Sequence, residues 1–102
     1  MAAYTLSEHY GPFNDRSNYV EFSIELNHED EQRLKEFLKR NGPCDYSCLE
    51  DDLPEIFDLI NDAASAAVLA DINSREGTSH EIWDVDWCSY IYDFSWDERL
   101  LR

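Results

Sequence analysis

The chain has 102 residues, with 23 acidic against 8 basic side chains, a formal charge of −15 and a pI near 4.2. A chain this short buries only roughly 60 to 65 per cent of its unfolded surface, which means one domain, one modest core and no separate catalytic domain. Its 14 per cent of aromatic residues argues against permanent disorder, and its charge repels naked nucleic acid and anionic membranes while attracting a basic partner.

The hydrophobic period changes along the chain and marks the elements. Tyr4, Leu6, Glu8 and Tyr10 alternate with Thr5, Ser7 and His9, a strand signal that stops at Gly11-Pro12 and the turn-prone Asn14-Asp15. From Tyr19 the alternation is clearer, with Val20, Phe22, Ile24 and Leu26 on one face and Glu21, Ser23 and Glu25 on the other, as a half-buried strand requires. Asn27 then caps a helix whose first turn holds Glu29, Asp30 and Glu31, where the positive end of the helix dipole favours anions. Its apolar stripe is only Leu34, Phe37 and Leu38, so one narrow face turns inward, and Asn41-Gly42-Pro43 ends it. Three Glu-to-Lys/Arg pairs at spacing four, Glu29 with Arg33, Glu31 with Lys35 and Glu36 with Arg40, are expected on its exposed side.

Residues 43–50 read as a loop. Asp51 or Asp52 is expected to cap a second helix, with Pro54 in its first turn and Glu55 completing a capping box with Asp52, running to about Asn73. Ile56, Phe57, Ile60, Ala63, Ala64, Ala67, Val68 and Ile72 spread over a wide arc and make it the core helix. The last run, residues 81–96, is rich in β-branched and aromatic residues and reads as one long strand. Trp83, Val85, Trp87 and Ile91 form its expected core face, while Tyr90, Tyr92, Phe94 and Trp96 are candidates for a second covered face or an interface with another chain. The whole predicts an α+β domain of order β-β-α-α-β, a small, mainly antiparallel sheet of about three strands packed on two helices.

The charge is unevenly placed. Arg33, Lys35, Lys39 and Arg40 lie in the first helix, whereas residues 41–74 and 76–98 contain no Lys or Arg. In the second helix Glu55, Asp58 and Asp62 recur at spacings of three and four, which lines one face at roughly 5 to 6 Å, a spacing that resembles nucleic-acid phosphate rows. Asp84 and Asp86, two apart in a strand, would add an outward pair roughly 7 Å apart. Together with Asp51 and Asp52 these residues predict a surface that occupies the groove of a basic, nucleic-acid-binding or nuclease-like protein, as a nucleic-acid mimic of the anti-defence or immunity type does. A different class of function is a self-associating structural or adaptor module, a homodimer formed through the aromatic C-terminal strand, with the acids serving solubility. Solvated acidic faces on a soluble protein are the plainest account of the same residues.

Chemistry finds less support. Cys44 and Cys48, with His80 or Cys88, have a spacing compatible with structural zinc, but no second paired motif accompanies them, and no metal is expected. The spacing of a redox dithiol is absent, and three sparse cysteines fit a reducing interior. No nucleophile sits in a glycine-flanked turn, and no glycine-rich phosphate loop accompanies Asp84 and Asp86 as magnesium ligands. His9, His28 and His80 lack a pattern that would make any of them a catalytic base. The expectation is a non-enzyme without cofactor or catalytic residues. Residues 1–13 lack a basic start and an apolar middle, and no stretch is as long and apolar as a membrane span, so a cytoplasmic location is expected.

Overall fold

The computed structural model describes residues 1–12 and 17–102; the turn expected at Asn14-Asp15 lies outside them. Two alternating segments form antiparallel neighbours, β1 (Ala2–Pro12) and β2 (Asn18–Leu26), in a register that pairs Leu6 with Phe22 and Tyr4 with Ile24. A period of two places Tyr4, Leu6 and Tyr10 beside Val20, Phe22, Ile24 and Leu26 on one buried face. The helices α1 (His28–Asn41) and α2 (Pro54–Glu76) follow, and β3 (Tyr90–Ser95) adds to the free side of β1, giving the antiparallel order β2-β1-β3. The α+β class and the order β-β-α-α-β are therefore those expected from the sequence.

α1 keeps its predicted limits. The Asn27 side chain accepts from the Asp30 N–H at 2.8 Å, and Gly42, at φ 80°, ends the helix with its N–H on the Leu38 carbonyl. Leu34, Phe37 and Leu38 are its buried residues. Its surface pairing differs from the expected ladder. Glu36 and Arg40 pair at 3.0 Å, but Arg33 turns to Asp30 at 3.3 Å, and Glu31 instead accepts a hydrogen bond from the Tyr4 hydroxyl of the sheet. The phenol of a buried tyrosine is a stronger competitor for that carboxylate than a hydrated lysine.

α2 begins at Pro54 with Leu53 as its cap residue and no side-chain cap, which corrects the Asp52–Glu55 capping box. Leu53 is buried, and that anchoring fixes how the chain enters the helix, while Pro54 has no N–H to cap. Ile56, Ile60, Ala64, Val68 and Ile72, all at spacing four, form the buried stripe. The helix continues one turn past Asn73 to Gly77, in the left-handed region at φ 66°; the Asn73 side chain accepts from the Thr78 hydroxyl and the His80 N–H and so fixes the chain that leaves it.

The long C-terminal strand is the largest correction. Only Tyr90–Ser95 is strand; before it come short 3-10 turns at Ile82–Asp84 and Trp87–Ser89. Glu81 and Asp84 close a reciprocal capping box, and Trp87 donates its indole N–H to the Ile82 carbonyl at 2.8 Å, so local side-chain bonds overrule β propensity. Trp83 is 78 % exposed rather than core. The expected faces are exchanged: Tyr92 and Phe94 stand opposite Tyr10 and Glu8 of β1, on the core side of the sheet.

The core falls into two clusters along β1, a larger one around Leu6, Phe22, Leu34 and Ile60 and a smaller one around Tyr10, Val20, Val68 and Ile72. Residues 43–50 are more ordered than a loop. Asp45 accepts from the Ser47 N–H and caps the 3-10 turn Tyr46–Leu49, and Cys44 and Cys48 are joined by a disulfide, which corrects the expectation of reduced thiols. Among the described residues no helix is long and apolar enough to cross a membrane.

Candidate functional site

Between the two core clusters the alternation of β1 puts a carboxylic acid on the buried face. Glu8 stands between Leu6 and Tyr10, paired with Val20 on one side and Phe94 on the other, and is 4 % exposed. α2 packs on β2, on the turns Tyr46–Leu49 and Ile82–Asp84, and toward its C-terminal end on Tyr10 through Val68, Ile72 and the Asp71 carboxylate; between these contacts, around Glu8, the sheet is incompletely covered. The gap is a cleft of about 570 Å³ with Glu8 in its lining. Asn61, Asp62 and Ser65 of α2 form one wall, Asp45, Tyr46 and Ser47 a second, and Trp87 and Tyr92 a third.

Hydrogen bonds hold these walls in place. The Tyr46 hydroxyl donates to the Asn61 side-chain carbonyl at 3.2 Å, and the Tyr92 hydroxyl donates to the Trp87 backbone carbonyl at 3.2 Å. Phe94 meets Tyr46 edge-on, and Trp96 in turn meets Phe94 edge-on while donating its indole N–H to the Cys44 carbonyl. The disulfide closes the short loop that carries Asp45, Tyr46 and Ser47.

No group among the described residues donates a hydrogen bond to the Glu8 carboxyl, and no side-chain oxygen or nitrogen among them is both sealed from solvent and unpartnered. The unpartnered oxygens of Glu8 therefore reach the cleft. Burial, and then the charges of Asp45 and Asp93, raise its pKa from 4.5 to about 7. Burial first and the Glu8 charge second push the Tyr92 phenol up to about 12, and the same causes raise that of Tyr46. Among the described residues the lining contains no Lys, Arg, His or Cys, and no group of three or more His, Cys, Asp or Glu is placed to hold a metal ion. Such a site can hold a proton near neutrality or exchange it for an organic cation.

The residues expected from the sequence to bind a partner are divided by the fold. Asp51 and Asp52 are exposed in the turn before α2, and Glu55, Asp58 and Asp62 are exposed along it; none belongs to an ion pair among the described residues. Asp62 also lines the cleft, which joins the helix face to the buried Glu8. Asp84 and Asp86 are exposed but do not share a strand face, because each belongs to a turn; Asp84 accepts from the Glu81 N–H at 2.8 Å. Tyr90, Tyr92, Phe94 and Trp96 are all half-buried against the two core clusters, with their rings spent inside the molecule.

Glu8 and Asp45 are the site residues that the sequence reading did not single out. A signal for Glu8 was present: it is the one carboxylic acid on the apolar phase of β1, among Tyr4, Leu6 and Tyr10. Asp45 carried no such signal, since its place beside Glu8 depends on a turn meeting a strand from the far end of the fold. Compared with protein-family models, with curated proteins and with solved structures, the chain matches none.

Proposed function

We propose that the protein is a small acidic binding module that docks on the positively charged surface of a basic protein, nucleic-acid-binding or nuclease-like, and inhibits it by occupying that surface. The observation that supports this reading is the run of carboxylates on Asp51, Asp52, Glu55, Asp58 and Asp62, exposed, outside every ion pair among the described residues and continuous with the acidic cleft. Four arginines among the described residues are already engaged by other acids: Arg33 by Asp30, Arg40 by Glu36, Arg75 by Asp71 and Arg99 by Asp97. A field of one sign over a surface of this size speeds encounter with a basic partner and gives binding that weakens with salt, because it is screened over about 8 to 10 Å at physiological ionic strength. The module acts without a cofactor and without catalysis.

The test is capture from host lysate with washes of rising salt, using the native protein and the double variant Glu55→Lys, Asp58→Lys, chosen because neither residue lines the cleft. A nucleic-acid-binding protein held by the native chain, released at moderate salt and not held by the folded double variant is the expected result. Equal capture by both removes the helix face from the interface. Recovery of the chain alone would favour self-association through β3, an edge strand with an unpaired side.

A further inference from the structure

Glu8 is a buried carboxylic acid, 4 % exposed, without a hydrogen-bond donor among the described residues, and with its oxygens open to a cleft. Buried polar groups are ordinarily partnered, and this one faces a space lined by two further carboxylates, Asp45 and Asp62, and by the rings of Tyr46, Trp87 and Tyr92. We propose that the cleft receives one guanidinium group, the head of an arginine side chain on the basic partner, with Glu8 accepting its N–H groups at the floor and Asp45 and Asp62 facing it from the walls. The source of that arginine rests on the docking function proposed above.

The chemistry of the lining selects this head group. The carboxylates come from three separate elements, β1, the 43–50 segment and α2, and no three of them converge as a metal ion demands. A planar group with five N–H donors reaches acceptors on several walls at once, lies flat against aromatic faces and sheds its water more readily than a compact ammonium does. Among the described residues the lining has no cation to compete. Entry of the guanidinium ionises Glu8, so one proton leaves the carboxyl as one cation arrives. The titratable groups around Glu8 are Asp45, Asp62 and Asp93 with the neutral phenols of Tyr46 and Tyr92; burial and the charges of Asp45 and Asp93 disfavour its ionised form until the cation is present. Affinity should therefore rise about tenfold or more between pH 5.5 and pH 8.

The probe is Nα-acetyl-arginine methylamide, titrated into the full chain and followed by amide NMR shifts, with the matching citrulline and lysine compounds as controls. Expected are saturable shifts at Tyr46, Asn61 and Tyr92 with arginine, none with citrulline, and a weaker response to lysine. Glu8→Gln, its fold verified by the same spectrum, should lower arginine affinity about tenfold or more and flatten the pH dependence. Ser65→Arg, which leaves Glu8 intact and offers the cleft a tethered guanidinium, should block the probe. Equal shifts from arginine and lysine spread over the exposed carboxylates, unchanged in Glu8→Gln, would overturn the cleft while leaving the docking face to be judged by the Glu55→Lys, Asp58→Lys capture. Saturable arginine binding that depends on Glu8, alongside no captured basic protein, would uphold the cleft's chemistry and overturn the partner as its source.

Discussion

The two flanks of α2 rest on the same sheet and are built differently. On the β2 flank Ile56, Ile60 and Ala64 share one core cluster with Phe22, Ile24 and Leu26, apolar against apolar. On the β3 flank the helix offers Asn61, Asp62 and Ser65 instead, the sheet offers Glu8, and the space between them stays open. One helix thus supplies a sealing face and a polar wall a few residues apart around its circumference. The difference teaches where the molecule keeps its stability and where it keeps its reactive chemistry: the first flank is closed by burial, and the second is held open by a carboxyl that resists being sealed.

The comparison breaks most directly at Ile60, which is fully buried at 0 % exposure on the closed flank. Ile60→Ala should cost about 3 kcal/mol through lost burial and the cavity left behind, read as a lowered midpoint in chemical denaturation with the slope unchanged. On the open flank the corresponding perturbation has the opposite sign at high pH. Because the folded-state pKa of Glu8 is raised from 4.5 to about 7, the folded chain holds its proton more tightly than the unfolded chain. The stabilisation this gives is fully present below about pH 4.5 and lost as pH rises through 7, a loss of about 2 kcal/mol once the solvent reaching the cleft is discounted. Glu8→Gln should remove that part of the fall, so that the variant gains on the native chain between pH 5 and pH 8 in thermal melts at matched ionic strength. A variant that loses stability at pH 8 as much as at pH 5 would show that Glu8 serves packing rather than the cleft. Smallest of all is Trp83→Ser, in the turn Ile82–Asp84, expected to change stability by less than about 0.5 kcal/mol because the ring is 78 % exposed.

Trp83 also shows what the sequence could not carry. Its neighbours read as strand because propensity and alternation see only side-chain type, whereas the Glu81–Asp84 capping box and the Trp87 indole bond create turns that propensity does not register. Once those turns consume residues 82–89, the phase of the remaining strand is set by pairing with β1, which turns Tyr92 and Phe94 inward and exchanges the expected faces. The helix-face acids Glu55, Asp58 and Asp62 were legible because helical spacing is a local property that survives folding. The Asp84 and Asp86 pair was not, because its strand did not form.

The sequence by itself determined the class of the domain, the limits of α1, the inward stripes of both helices and the concentration of negative charge after residue 41, all of which follow from local periodicity, capping and composition. Tertiary structure alone decided the strand order β2-β1-β3 and the cleft that gathers Glu8, Asp45 and Asp62 from three elements. These depend on which surfaces are left uncovered when a helix too narrow to span three strands lies over one side of the sheet. That is a property of how the elements pack, and no window of sequence contains it.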